Sequence, residues 1–404
     1  MERLTGFLGI FAILGIAYLM SNNRKEINLR IVYWGLGLQW FFAIFILATP
    51  IGKPLFLFFD RAIRKLLQFS DEGAKFVFNN LALGPQSENS LGFFFAFQVL
   101  PTIIFFSALM AILYYFGIMQ LLVKGIAKGM QKTMGTSGSE TLSCSSNIFV
   151  GQTEAPLVVR PFLNTMTKSE LTAIMTGGFA TIAGGIMAIY VKWLSDIPNI
   201  AGHLMAASVM SAPAALVIAK IVYPEVEESP TQGDLKTEIG KMDDNVMEAV
   251  SRGATDGMRL AANVAAMLIA IVAMVAGVNY FLSLVGLSLQ QILGWIFSPL
   301  AFTMGVPAAD IFKIGSLMGE KIVLTELIAF GHLQEMTDLT VKSKVIATYA
   351  LCGFANFASI GIQIGGIGAL APNRRKDLAK VATKAMMAGA LASWLTASIA
   401  GILL

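Results

Sequence analysis

Two glutamates, Glu154 and Glu326, each directly behind a threonine, interrupt stretches otherwise apolar enough to lie in a bilayer. An ionisable side chain at the centre of a membrane helix costs about 2.5–3.5 kcal/mol or more, so it is functional by default. The alternative for each is a neighbouring Lys or Arg, or a place at the cap of a broken helix. Amides and hydroxyls gather nearby: Asn147, Gln152 and Thr153 before the first glutamate, Asn356 and Ser359 after the second. Asn356 and Ser359 are three residues apart, which places them on one helix face. Such a mixture hydrogen-bonds a neutral, hydroxyl-rich ligand without requiring a ligand charge. Ser143, Ser145 and Ser146 read instead as contacts between packed helices. Gly184-Gly185 and Gly365-Gly366 read as sites of close packing or local unwinding.

The elements that position these residues are membrane helices. Of 404 residues, 56% are hydrophobic and 13% charged, and the mean hydropathy is +0.70. Soluble proteins carry about 25% charged residues, and so few charges cannot cover a water-soluble surface of this size. The net charge of +4 does not imply nucleic acid, because the basic residues lie in loops between apolar spans. Cys144 and Cys352 sit in apolar surroundings, which argues against a disulfide framework. His203 and His332 lack metal-ligand spacing. There is no cleavable-signal pattern at the first apolar run. An enzyme finds little support, with no phosphate-binding loop, nucleophile elbow or His-Glu-x-x-His pattern.

A bilayer core about 30 Å thick needs about 20 apolar helical residues. Eight spans satisfy this: Leu4 to Met20, Ile31 to Pro50, Leu91 to Val123, Leu171 to Val191, Ala201 to Ala219, Leu260 to Val285, Val345 to Pro372 and Ala385 to Leu404. The charge-free run continues past Val285; there Gln290, Gln291, Trp295 and Pro299 suggest an interfacial segment followed by a loop. Two further stretches, Ser139 to Leu163 and Asp310 to His332, are broken by polar residues. Irregular backbone at membrane depth persists only inside protein or beside a wet cavity, so both read as re-entrant hairpins.

With both termini outside, 18 of the 29 basic residues fall on the inside, including Lys236 and Lys241 in the polar linker from Tyr223 to Asp244. That bias sets the orientation. From Val246 an amphipathic lead-in precedes the sixth span. Between Lys53 and Lys75, Phe59, Ile63, Leu66 and Leu67 form one face against Arg61, Arg64, Lys65 and Gln68, which suits a helix lying flat in the headgroups. The hairpins then enter from opposite sides. Each precedes a span with a related motif, Gly178-Phe179-Ala180-Thr181-Ile182-Ala183 and Gly353-Phe354-Ala355-Asn356-Phe357-Ala358. An inverted repeat with broken helices is the build of secondary transporters, whose site lies at the repeat interface near the midplane.

The stretch NIFVGQTEAPLVVRP from Asn147 to Pro161 resembles the signature of the concentrative nucleoside transporters. So do LTELIAF from Leu324 to Phe330 and LCGFANFASIGI from Leu351 to Ile362. The resemblance runs from about residue 90 to the C-terminus. It implies an all-α polytopic fold of eight transmembrane helices, two opposed re-entrant hairpins and interfacial helices, assembled as a homotrimer in the cell membrane. Residues 1–90 then supply scaffold helices and the interfacial helix, and 91–138 a scaffold helix and cytoplasmic loop. The first transport repeat is 139–223. Linker, long scaffold helix and outer interfacial segment fill 224–309. The second repeat is 310–372, and 373–404 is the last helix.

Carried over by resemblance, Gln152, Thr153 and Glu154 contact the nucleobase, with Ile186 beneath it and Phe354 beside it. Glu326, Asn356 and Ser359 hold the ribose. Sodium falls to Asn147, the Thr181 hydroxyl and the carbonyls of Val150 and Ile182. Thr181 stands where some members have Ser, and Asn147, often missing from proton-coupled members, favours sodium. One sodium moving down about 100 mV supplies about 2.3 kcal/mol. A tenfold sodium gradient adds about 1.4 kcal/mol, enough together for roughly 500-fold accumulation of a neutral nucleoside. A proton-coupled symporter, a channel and a membrane hydrolase are the competing expectations.

Overall fold

Backbone polar groups in a bilayer must be satisfied within the segment, so the apolar runs become helices. The computed structural model describes residues 2–49, 52–84, 89–231 and 243–404, all-helical with no strand among them. Helix α1 (Glu2–Leu19) and α2 (Leu29–Ala43, prolonged by a π-turn over Ile44–Ala48) lead to α3 (Gly52–Phe78). A short α4 (Phe95–Gln98) precedes α5 (Leu100–Tyr115) and α6 (Ile118–Met134). Next come α7 (Gly138–Ser146), α8 (Lys168–Ala180), α9 (Gly184–Trp193), α10 (Ile200–Val222) and α11 (Val246–Ser283). The remainder is α12 (Leu289–Thr303), α13 (Ile311–Val323), α14 (Glu326–Glu335), α15 (Val341–Leu351), α16 (Phe357–Leu370) and α17 (Arg375–Leu403).

Among the described residues, six helical stretches are long and apolar enough to cross a membrane: Leu29–Leu47, Phe95–Tyr115, Lys168–Trp193, Ile200–Val222, Val246–Ser283 and Pro372–Leu403. The first and seventh expected spans correspond to shorter apolar helices, Thr5–Leu19 and Phe357–Leu370. The third expected span is too long at both ends. It begins near Phe95 and stops at Tyr115, because Gly117 (φ +77°) turns the chain into α6. The expected interfacial segment with Gln290, Gln291, Trp295 and Pro299 is helix α12, and the loop expected after it runs from Met304 to Asp310; Ser298 Oγ bonds the Gly294 carbonyl at 2.6 Å. Helix α11 absorbs the amphipathic lead-in without a break. At its start Arg252 donates to both Asp243 oxygens at 2.7 Å, which holds that carboxyl below the usual carboxylate range. Lys236 and Lys241 lie outside the described residues.

Helix α3 is amphipathic as expected, but its inward face is Asp60, Ile63, Leu67, Ser70 and Ala74, while Phe59 stays exposed. Asp60 fixes it by accepting from the Ala201 amide at 3.1 Å, at the start of α10.

Helices α8 to α10 and α17 form the centre: their spans are 83–89% buried, against 6% for α11. Two glycines one turn apart seat α11 against α5. A Cβ on Gly253 would stand 2.7 Å from Ala108 Cα, and one on Gly257 2.7 Å from Ile104 Cα. Small residues at this spacing let membrane helices approach closely. Gly257→Val is expected to lower the thermal unfolding midpoint in detergent, because overpacking costs about 1–3 kcal/mol. Gly361→Ala, with open space around it, should leave the midpoint unchanged; equal midpoints for both variants would refute the α5–α11 contact.

The first expected hairpin is α7, a turn over 147–154, and a 3₁₀ segment (Ala155–Phe162) that packs back on α7. Glu140 and Lys220 form a buried ion pair at 2.7 Å that ties α7 to α10. The second is α13, a break at Leu324, and α14, again packed together. Both following spans are broken inside the repeated motif, between Ala180 and Gly184 and between Leu351 and Phe357. The two breaks meet: the Phe354 amide donates to the Thr181 carbonyl at 3.3 Å. Gly353 permits this with φ +136°, and a Cβ there would stand 2.7 Å from the Phe179 carbonyl oxygen.

Candidate functional site

Glu326 opens α14, where Thr325 caps the helix by accepting from the Ile328 amide. A helix N-terminus favours a carboxylate. The side chain is 5% exposed. Its Oε1 accepts from the Tyr190 hydroxyl at 3.2 Å and its Oε2 from Asn356 Nδ2 at 2.8 Å. Tyr190 is held by stacking on Phe330, with centroids 4.1 Å apart. Asn356 caps α16 with its other atom, as Oδ1 accepts from the Ser359 amide at 2.8 Å. Glu326 thus has no ion-pair partner among the described residues, and each oxygen keeps a lone pair for further donors. Lys321 lies on the preceding helix, but its ammonium is buried against the Ala350 carbonyl at 2.9 Å.

Hairpin one approaches the same helix further along. Gln363 Nε2 donates to Gln152 Oε1 at 3.0 Å, and Thr153 packs its methyl side on Gly366. Asn356, Ser359, Gln363 and Gly366 follow one another at helical spacing on α16. Seven residues of helix span about 10 Å, so the carboxylate cluster and the Gln152 amide are separated by roughly that length on one face.

Glu154 stands apart from both. Its Oε2 accepts from the Gly151 amide at 3.3 Å. Its side chain lines a cavity of about 150 Å³ with Tyr114, Phe149, Arg252 and Asp256, between the hairpin turn and helices α5 and α11. Ile186 is buried in the first turn of α9, and Phe354 is half-buried in the second break. The expected base-contacting set is therefore brought together in part: Gln152 and Thr153 face α16, whereas Glu154 faces the α5–α11 side.

The expected cation ligands lie on the turn of hairpin one and on the first break, which pack against each other. Asn147 caps α7 and bonds the Ser143 carbonyl through Nδ2 at 3.2 Å. Its Oδ1 is fully buried without a partner. The amide lies beside Gly177, whose carbonyl accepts from the Thr181 hydroxyl at 2.9 Å. The hairpin turn meets the break where the Gly184 amide donates to the Phe149 carbonyl. No backbone N–H among the described residues bonds the Val150 or Ile182 carbonyl. An orphaned amide oxygen, a hydroxyl and carbonyls without backbone partners are the oxygen donors that a hard monovalent cation takes.

Comparisons with known proteins agree along the whole chain. Residues 8–81 match the model for a Na+ dependent nucleoside transporter N-terminus, 96–196 one for nucleoside recognition, and 203–401 one for the Na+ dependent nucleoside transporter C-terminus. An uncharacterized transporter of Haemophilus influenzae is 44% identical, covering all of this chain and 98% of that protein. The rat sodium/nucleoside cotransporter 1 is 42% identical over all of this chain and 64% of its own length. The structure of CNTnw in an inward-facing substrate-bound state superposes with a TM-score of 0.93 at 41% identity, covering 100% and 98% of the two chains. The chain belongs to the concentrative nucleoside transporter family. Sodium is the coupling ion of that family, which transports and does not catalyse. A doubly substituted CNTnw in an outward-facing state matches this transporter nearly as well, at 0.92.

Sequence reasoning missed two residues that organise the transporter's candidate site. Gln363 carried a signal, as a polar residue four positions after Ser359 in an apolar span. Tyr190 carried none: an aromatic side chain in a buried helix is ordinarily core, and only the fold brings its hydroxyl to Glu326.

Proposed function

We propose that the protein imports nucleosides together with sodium across the cell membrane by alternating access. The observation that carries this reading is Glu326, a buried carboxylate held by two neutral donors with acceptor capacity to spare. Ribose presents vicinal hydroxyl donors that such a carboxylate takes well, with Asn356 and Ser359 beside it. Gln152 and Thr153 reach the base, with Ile186 and Phe354 as its apolar walls and Glu154 acting from the flank through water. Asn147, Thr181, Val150 and Ile182 hold sodium, and the unpartnered Asn147 oxygen favours that ion over a proton. Hairpins and broken helices, within 139–223 and 310–372, move as one domain against the remaining scaffold. Both hairpins enter from opposite faces, both termini lie outside, and three copies assemble as in the family resemblance.

Uptake of labelled nucleosides into proteoliposomes tests this, with an inward sodium gradient set against choline at fixed pH. Saturable uptake should rise about tenfold or more with sodium, the scale set by a tenfold gradient and the membrane potential. Equal uptake in choline with stimulation by a proton gradient would replace sodium by protons. Uptake without saturation or counterflow would point to a channel.

A further inference from the structure

The Gln363 side chain is completely buried on α16. Its Nε2 donates to the Met175 backbone carbonyl at 3.1 Å as well as to Gln152 Oε1 at 3.0 Å. Side-chain amides are oriented by their networks, and here one member admits no ambiguity. A backbone carbonyl only accepts, so the group facing Met175 must be the NH₂. Turning the amide over would set Gln363 Oε1 against that carbonyl oxygen. The observed orientation leaves Gln363 Oε1 without a partner, a cost accepted at a site where the opposite choice is worse. With both Gln363 N–H groups assigned, Gln152 must offer an acceptor to the second one. The Gln152 amide is thereby fixed with Oε1 towards Gln363, and its Nε2 takes no acceptor among the described residues. Gly178 makes the arrangement possible: a Cβ there would stand 2.7 Å from Gln363 Nε2 and 2.9 Å from Gln152 Cβ.

We propose that Gln363 locks Gln152 as a hydrogen-bond donor towards the ligand, so that the transporter selects bases carrying a keto oxygen over those carrying an amino group at the same position. The proposal rests on the nucleoside reading above. Gln363 follows Asn356 by seven residues on one face, about 10 Å along the helix. Gln152 therefore meets the part of the base furthest from the sugar, the exocyclic group at C4 of a pyrimidine or C6 of a purine. A keto oxygen there accepts from the Gln152 NH₂. An amino group meets it donor to donor and leaves both unsatisfied. Gln363 is a positioning residue in this scheme and needs no contact with the ligand.

Competition against labelled uridine uptake in sodium-driven proteoliposomes tests the selection with two matched pairs, uridine with cytidine and inosine with adenosine. The parent should favour the keto member of each pair by roughly fivefold or more, the lower range for one unmade buried hydrogen bond. In Gln363→Leu the Gln152 amide is free to turn over, and both ratios should fall towards one while sodium-dependent uridine uptake persists. An unchanged ratio in Gln363→Leu, or an amino preference in the parent, overturns the proposal. Gln152→Glu supplies a second route if the first variant does not fold. Its carboxylate accepts from Gln363 as before and presents only acceptors to the base, so the preference should reverse; a retained keto preference would also overturn the proposal. Loss of sodium-dependent uptake in the parent would instead refute the transport reading, which keeps the two failures apart.

Discussion

Glu326→Gln is expected to lower ribonucleoside uptake about 10- to 100-fold, the loss associated with one hydrogen bond to a charged acceptor. The carboxylate receives the Tyr190 hydroxyl on one oxygen and Asn356 Nδ2 on the other. Each oxygen therefore points one filled and one open acceptor site, and the open pair suits vicinal ribose hydroxyls. A glutamine cannot reproduce this. Whichever way its amide turns, its NH₂ faces either the Tyr190 hydroxyl or Asn356 Nδ2, and one ribose hydroxyl loses its acceptor. Size and shape are conserved, so the thermal unfolding midpoint in detergent should stay near the parent value. Nucleosides lacking the 2′ or 3′ hydroxyl should lose less than their ribo counterparts, since they make fewer of the affected bonds. Uptake at parental rate by the glutamine variant would remove Glu326 from the ribose site and transfer its role to the helix cap.

How much of this was legible beforehand depends on whether the signal is local. The glutamates and Asn147 were legible because polar atoms at membrane depth are costly wherever the chain goes. The broken spans were legible from the repeated Gly-Phe-Ala motif, and the structure places both breaks within it. The end of the third span was not, because apolar composition continues beyond Tyr115 and only the positive φ of Gly117 ends the helix there. Pro299 left the end of the interfacial segment undefined in the sequence; α12 carries the proline within the helix, packs closely on α13 and ends only at Thr303. Which residues of the expected apolar face of α3 pack inward was not legible: Ile63 and Leu67 do and Phe59 does not, since a helix with lipid on one side and protein on the other has two apolar directions. Orientation of side chains across elements was illegible altogether. Glu154 follows Gln152 by two residues, about 200° around a helix-like turn, so the two point to different neighbours although only Thr153 separates them in sequence.

The two hairpins meet the two breaks, and under the proposed site assignment that contact couples the ion to the ligand. The turn of hairpin one carries the sodium candidates on one side, against Gly177 and Ala183, and the Gln152 amide on the other, against Gln363. A cation drawing in the Asn147 oxygen and the Val150 carbonyl therefore fixes the segment that presents Gln152 and Thr153. The Thr181 carbonyl, next to the candidate ligands, accepts from the Phe354 amide and connects the first break to the second, where Asn356 holds Glu326. Removing the ion should loosen both ends of the ligand site.

Asn147→Leu isolates that link. Leucine keeps the volume nearly constant and deletes the buried Oδ1, the only candidate ligand that is an unpartnered side-chain oxygen at this site. It also deletes the Nδ2 bond to the Ser143 carbonyl, a cost of about 1 kcal/mol that the core can absorb. Coupling between two ligands is reciprocal: the factor by which sodium tightens nucleoside binding equals the factor by which nucleoside tightens sodium binding. A variant that no longer binds sodium must therefore lose the whole sodium-dependent gain in nucleoside affinity. Asn147→Leu is expected to bind nucleoside weakly, with an affinity that changes less than about twofold over a range of sodium in which the parent changes about tenfold or more, within the usual range for coupled sites. Concentrative uptake should vanish, while nucleoside counterflow persists at a reduced rate because the ribose cluster is untouched. Titrating nucleoside at several sodium concentrations, with ionic strength held by choline, reads the coupling directly. Full sodium dependence in the leucine variant would place the ion away from the first break, and the orphaned Asn147 oxygen would then belong to packing between α7 and α8.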